Sequence, residues 1–455
     1  MTLVVLVALP LVAALLVLLL RGLPIIATPL TVVTLIALAI LCLAPQQAEP
    51  LILFGRSLEL LPLEAAGLAY CAALLALVIL CTGRLSPGSW SHSLVLLGMS
   101  FFAAAVMVRN TILSGLLFEV GAVSAVMLVA SKRPGAAMTS MRLLILLTLS
   151  GLLLLLAAWA LESRAITPDD PLFANVGTVA LALGFGIALA LVPFHVWLPS
   201  VFHYGDALAA VMLGVVLSIV VLLRLNVMLQ VSMWPGGREN LAALLVGSGT
   251  LTVFLGSLMA IPQRTVTRAL AYAALADMGM VAIGLGLSTR LSFDVTLMHI
   301  AYRGLAILVV SASLGILRQC LDADDIGHLA GAVRRAPLAV MSMLIGGYSL
   351  AGMPLSAGFA SRVLLYKAFS SQYAPWTLAL ALCSFGPAWA FTRCGVAALV
   401  STPIPGGRRE PLLPALLVFI LALALLALGI YPNLLSLLPQ EWLKSLLTSL
   451  FAWRG

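Results

Sequence analysis

The sequence predicts an all-α polytopic membrane protein of about fourteen transmembrane helices, with two inverted five-helix repeats and broken helices 7 and 12. Of its 455 residues, 63% are hydrophobic and only 9% charged, with mean hydropathy +1.17; a water-facing domain is about a quarter charged. Apolar runs of about 20 residues, the length that crosses a hydrocarbon core of about 30 Å, recur from end to end. Two of the runs are too long for one straight crossing, and each holds internal proline.

The first run, "MTLVVLVALPLVAALLVLLLRG", gives span 1 near 2–20. It lacks the basic start of a cleaved signal peptide, and its first arginine, Arg21, comes after the apolar run, so it reads as a span starting on the outer side. Spans 2 and 3 near 24–44 and 65–82 complete an N-terminal unit, 1–91. Spans 4 to 8 fall near 92–108, 111–131, 142–161, 174–203 and 206–227 and make the first repeat, 92–227. The seventh contains "GFGIALALVPFHVWLP", where Pro193 and Pro199 flank His195. Spans 9 to 13, near 241–262, 266–288, 292–317, 337–371 and 374–400, make the second repeat, 241–400, with Pro354 inside span 12. Span 14 lies near 412–431 in a C-terminal unit, 401–455, whose tail "PQEWLKSLLTSLFAW" reads as a short interfacial amphipathic helix. Backbone groups freed at a break are tolerated in a bilayer only when buried in protein or lining a wet cavity. Broken helices five spans apart suggest a repeat, and an odd number of spans per copy inverts the second copy, the usual build of transporters and ion-translocating subunits.

Loop charge gives an orientation. The loops after odd-numbered spans hold twelve basic residues (Arg21, Arg84, Lys132, Arg133, Arg142, Arg264, Arg268, Arg318, Arg334, Arg335, Arg408, Arg409) and those after even-numbered spans six (Arg56, Arg109, Arg164, Arg224, Arg238, Arg290). The positive-inside rule then puts the odd loops in the cytoplasm of a bacterial inner membrane and both termini outside, although Lys444 and Arg454 add charge to the outer tail. The net charge of +8 bears on topology and lipid headgroups, and nucleic acid is not expected as a partner. Cys42, Cys71, Cys81, Cys320, Cys383 and Cys394 form no CxxC pair and read as small buried residues. Neither a metal-ligand cluster, a phosphate loop nor a nucleophile elbow stands out, so no cofactor or catalytic site is expected. Asp322, Asp324 and Asp325 form a short acidic loop, either a solvated turn or a calcium or partner contact.

Ionisable residues inside spans are costly in lipid and should face a neighbour or a wet path. They are Glu119 in span 5, Asp277 in span 10, His299 and Arg303 in span 11 and Arg362 in span 12, with His195 at the first break, His203 near its far end and Arg393 in span 13. His299 and Arg303 are four apart and share a helical face. Such groups either relay protons or form ion pairs, Asp277 with Arg303 for instance, that pin helices together. Arginine stays protonated and is a poor relay, which tilts the arginine positions toward pinning.

Taken together, "VPFHVWLP", "RALAYAALADMGMVAIGLG", "MHIAYRG", "DADDIGHLAGAVRRAP" and "SLAGMPLSAGFASR" resemble the antiporter-like subunits shared by respiratory complex I, energy-converting and formate-hydrogenlyase-type membrane hydrogenases and multisubunit Na+/H+ antiporters. The likeness covers spans 4 to 12. It implies a buried polar axis: a span-5 glutamate paired with a span-7 lysine, a span-8 lysine, a histidine-bearing linker on spans 10 and 11, and a lysine or glutamate on span 12. Glu119 matches the first member, and His299 keeps the span-11 histidine. The span-7 lysine position is Ala188, seven residues before His195, and the span-8 position is Ser218. Arg303 stands where a lysine often follows the histidine, Arg362 replaces the span-12 lysine, and Asp277 sits where relatives carry a neutral polar residue or histidine. The chain has only three lysines, Lys132, Lys367 and Lys444, none of them near the two lost positions. Glu119 is thereby left without its usual partner, and a buried carboxyl favours its neutral form unless another cation reaches it.

The resemblance implies an antiporter-like subunit of a multisubunit complex, with a degenerate proton axis and other antiporter-like or small helical subunits as partners. The alternative is a working proton or cation transporter, or a gradient-driven inorganic-carbon uptake subunit, using Glu119, His195, Asp277 and His299. A free-standing enzyme comes a distant third.

Overall fold

A computed structural model describes residues 2–44, 51–53, 56–82, 90–130, 135–166, 171–231, 237–321, 325–400 and 408–431. Helix α1 is Thr2–Leu19, α2 Pro24–Leu43, α3 Pro62–Thr82, α4 Ser91–Met107, α5 Thr111–Met127, α6 Ala136–Ile166, α7 Pro171–Ala188 and α8 Trp197–Tyr204. After them come α9 (Ala207–Val211), a π-turn (Met212–Val216), α10 (Leu217–Val231), α11 (Gly237–Ala260), α12 (Val266–Gly286) and α13 (Arg290–Leu321). The chain closes with α14 (Ala332–Arg335), α15 (Pro337–Ala351), α16 (Ala357–Leu382), α17 (Phe385–Leu399) and α18 (Leu412–Ile430). Among the described residues ten helices are long and apolar enough to cross a membrane, and α4, α5, most of α7 and α15 are shorter apolar helices. The multi-pass all-α class is as the composition predicts.

Helices apolar around their whole circumference belong in the interior, and those with one apolar stripe at the edge. The crossing 207–228 and α12 are buried along nearly all their length, and α13 is buried for most of its length. Helices α1 and α18 expose most of theirs. The charged residues of spans 10 and 11 therefore lie on the innermost helices.

Both predicted breaks are present. Helix α7 ends at Ala188, and an irregular stretch leads to α8. Its freed groups find partners: Trp197 Nε1 donates to the Ile187 carbonyl at 3.0 Å, and the Val192 amide donates to Thr252 Oγ1 of α11 at 3.0 Å. Helix α15 ends at Gly352, whose φ of 72° is the left-handed C-cap that glycine adopts without a Cβ clash.

Four features depart from the sequence reading. Leu51–Leu53 and Arg56–Leu58 pair as a small antiparallel hairpin, strands β1 and β2, too short to carry a periodic signal. Span 8 is interrupted by the π-turn. Helix α16 continues past residue 371 through a kink at Tyr373, because Pro375 sits in the first turn after the kink, where its missing N–H is not needed. Span 13 is broken in its turn between α16 and α17, at Cys383 and Ser384.

The hairpin is tied to the α4–α5 connection. Arg109 donates from Nη1 and Nη2 to both carboxylate oxygens of the fully buried Glu64, at 2.7 and 2.8 Å, and its Nε lies 3.4 Å from Glu59. Burial works against the charged form of Arg109, but the hydrogen bonds and charge of Glu64, with help from Glu59, outweigh it and hold its pKa above the ordinary arginine value. Glu410 caps α15 from the span 13–14 connection, accepting from the Leu338 and Ala339 amides at 3.2 and 3.1 Å. All six cysteines are buried, and none of them is in a disulfide. The acidic-loop residues Asp322 and Asp324, the loop residues Arg84, Lys132 and Arg133, and the expected amphipathic tail lie outside the described residues.

Candidate functional site

Four of the ionisable residues singled out above meet at one place. The Asp277 carboxylate of α12 accepts from Arg362 Nη2 of α16 at 2.7 Å. Its other oxygen lies 3.7 Å from Arg303 Nε of α13, and His299 Nε2 lies 3.3 Å from Oδ1. All four side chains are almost fully buried. One carboxylate faces two guanidiniums, so the group carries an excess positive charge even with His299 neutral. Buried charge on this scale persists only when hydrogen bonds satisfy what the ion pairs leave over.

Backbone carbonyls supply part of those bonds, while Asp277 Oδ2, His299 Nε2, Arg303 Nε and Arg362 Nε are buried without a hydrogen-bond partner among the described residues. Arg362 Nη2 reaches the Leu350 carbonyl at 2.5 Å, and its Nη1 reaches the Ala351 carbonyl and Ser384 Oγ, each at 3.1 Å. Leu350 and Ala351 close α15, where the last carbonyls lack intrahelical partners and carry the negative end of the helix dipole. The break of span 12 thus presents the acceptors that Arg362 fills. Arg303 Nη1 donates to the Gly214 carbonyl in the π-turn at 2.8 Å, and Nη2 reaches the Ala274 carbonyl at 3.5 Å. His299 Nδ1 lies 2.8 Å from Ser361 Oγ of α16.

Glu119 and His195 stand outside this cluster. His195 is half-buried in the first break. Glu119 projects from α5 against Gly151 of α6, where a Cβ would lie 1.7 Å from its Oε1, so only glycine leaves room for the carboxyl. That oxygen is buried without a hydrogen-bond partner. The cation whose field reaches Glu119 is Arg224 of α10. Its guanidinium sits 5.0 Å from the Phe118 ring centroid. Counting Arg224 among the outer-loop charges is therefore corrected: it is 5% exposed and turned into the protein, because α10 runs on to Val231 and carries it along the face toward α5. Ala188 is the fully buried last residue of α7, and Ser218 is buried with its hydroxyl 3.3 Å from the Gly214 carbonyl.

The sequence reading missed Arg224, Ser361, Ser384 and Tyr70, the last of which donates from α3 to the Ala301 carbonyl of α13. Hydroxyls are ordinary in transmembrane helices and announce nothing by themselves. Arg224 had a readable signal, a lone arginine inside the predicted limits of span 8.

Comparison with known proteins bears on the family and the fold. A family model described as NADH:quinone oxidoreductase/Mrp antiporter, TM, matches residues 109–386. The NADH-quinone oxidoreductase subunit N of Desulforamulus reducens is 33% identical over 201 residues, 42% of this chain and 40% of that one. The chain matches about half the length of such curated relatives. A chain of the membrane-bound sulfane sulfur reductase, an archaeal respiratory membrane complex, has the same fold with TM-score 0.83 at 22% identity, over 97% of this chain and 96% of that one. A chain of the Mrp complex from Dietzia has it with TM-score 0.84 at 17% identity, over 95% of each. With the family model spanning more than half its length, from the start of α5 to the start of α17, the chain belongs to the NADH:quinone oxidoreductase/Mrp antiporter transmembrane family.

Proposed function

We propose that the chain serves as an antiporter-like membrane subunit of a multisubunit complex of the complex I, hydrogenase or Mrp type, with a degenerate proton axis. It acts there as a scaffold or a modified coupling element. Its partners are other antiporter-like and small helical subunits and the lipid of a bacterial inner membrane, with both termini on the outer side. The two five-helix units, 92–227 and 241–400, are read as the inverted repeats, with about fourteen crossings in all. The inward turn of Arg224 supports the orientation, since it removes a charge from the outer loops.

The observation that carries the reading is the hold of Arg362 on Asp277 at 2.7 Å and on the carbonyls of Leu350 and Ala351. A guanidinium keeps its proton at any physiological pH, so the position where the resemblance implies a titratable lysine is filled by a fixed cation on four acceptors. A second reading, a working proton or cation transporter using Glu119, Asp277 and His299, is favoured by the buried Glu119 oxygen that lacks a hydrogen-bond partner.

Tagging the chain in its native host and extracting it in mild detergent tests the subunit role. Membrane subunits of one such complex are expected to co-migrate with it in a single native species. Isolation as a lone chain that carries ion flux in liposomes by itself contradicts the proposal.

A further inference from the structure

Helix α7 ends in a way that leaves one backbone donor for another helix to hold. The Leu191 amide donates to the Gly186 carbonyl, five residues back, and the Ala190 amide to the Ile187 carbonyl, at 2.9 and 3.2 Å. These are the paired bonds of a Schellman C-cap, whose left-handed position favours glycine because a Cβ is crowded there. Here that position is filled by Ala190, with a φ of 55° and its side chain buried. An alanine persists in this conformation only where its surroundings over-determine it. Beyond the cap, Pro193 has no amide to give, and the Phe194 and Leu198 amides close short turns on the Leu191 and His195 carbonyls. The Val192 amide instead crosses to Thr252 Oγ1 of α11, at 3.0 Å.

Thr252 is oriented to receive it. The residue is fully buried, and its own hydroxyl proton is committed to the Ser248 carbonyl one turn back, at 2.6 Å. A hydroxyl with its single proton so used meets Val192 as an acceptor. An amide left unpaired at membrane depth has no water to turn to and carries its full cost of desolvation. We propose that Thr252 is a positioning residue: from α11 it fixes the shape of the first break, and with it the placement of His195, three residues beyond Val192. The required feature is the hydroxyl. Serine keeps it, whereas valine keeps the branched shape of threonine and loses the acceptor. The proposal concerns the interior of the chain and does not depend on which complex it joins.

Amide hydrogen exchange on the native complex in nanodiscs tests this, with wild type set against Thr252→Val and Thr252→Ser. Exchange reports local opening stretch by stretch, so it separates a loosened break from a loosened protein. Thr252→Val is expected to speed exchange across 189–198 about tenfold or more, the effect of leaving a buried donor unpaired. Helices α11 and α12 are expected to exchange as in wild type, and Thr252→Ser is expected to stay near wild type throughout. If Thr252→Val leaves 189–198 at the wild-type rate, or Thr252→Ser speeds it equally, the proposal is wrong. Faster exchange spread along α11 and α12 would show a packing role and overturns it too. Should Thr252→Val fail to yield assembled complex, the yield itself is the readout: assembly of Thr252→Ser supports the proposal, and its failure to assemble overturns it.

Discussion

Asp277 has three basic side chains within 4 Å, one of them hydrogen-bonded, and Glu119 has none so close, so neutralising each has a different consequence. Removing one partner of a buried ion pair leaves the other charge uncompensated and costs about 3–5 kcal/mol. At Asp277 two arginines are stranded together. Asp277→Asn is therefore expected to cut the melting temperature and the yield of assembled complex sharply. Glu119→Gln keeps shape and size at a carboxyl whose Oε1 already lacks a hydrogen-bond partner, and is expected to leave assembly near wild type. Thermal melting of the two purified variants checks this, and an Asp277→Asn protein as stable as Glu119→Gln contradicts it.

At the scale of the helical element, the breaks in spans 7 and 12 are sustained by side chains that return to the ends of their own helices. Trp197 does so for α7 through the Ile187 carbonyl, and Arg362 for α15 through Leu350 and Ala351. A lysine at 362 offers one compact ammonium on a flexible stem and cannot serve Asp277, Ser384 and two carbonyls together. Each buried carbonyl left unsatisfied costs about 1–3 kcal/mol. Arg362→Lys is expected to assemble with a lowered melting temperature. An Asp277→Asn/Arg362→Gln double variant is expected to lose less than the sum of its single losses, since a neutral pair replaces two stranded charges. Additive losses would mean that the two residues act independently.

Across the whole molecule, the class of fold was legible because composition alone forbids a water-facing surface. The two breaks were legible because proline cannot continue a helix ladder, as at Pro193 and Pro354. The members of the central cluster were legible too, since charge inside an apolar span must have a partner. Which charge meets which was not. Asp277, His299, Arg303 and Arg362 come from three helices, and their pairing is set by tertiary packing that no local pattern records. Arg224 escaped because an arginine near a span end usually snorkels to the interface, whereas here its direction is fixed by the fold around Phe118 and Glu119. The π-turn carries no proline or charge signal of its own, whereas the interruption at Ser384 is followed by Pro387 in the first turn of α17, a signal the sequence reading passed over. That positions 188 and 218 hold no lysine reads from sequence alone, and that Arg303 lies beside Asp277 required coordinates.

Whether the axis still moves protons is decided by coupled proton flux in liposomes holding the purified native complex, wild type against Glu119→Gln. With the arginines fixed on Asp277 and the α15 carbonyls, the complex is expected to stay assembled with unchanged flux. If Glu119→Gln abolishes flux in a fully assembled complex, the path survives without its lysines and the chain is a working transporter rather than a scaffold.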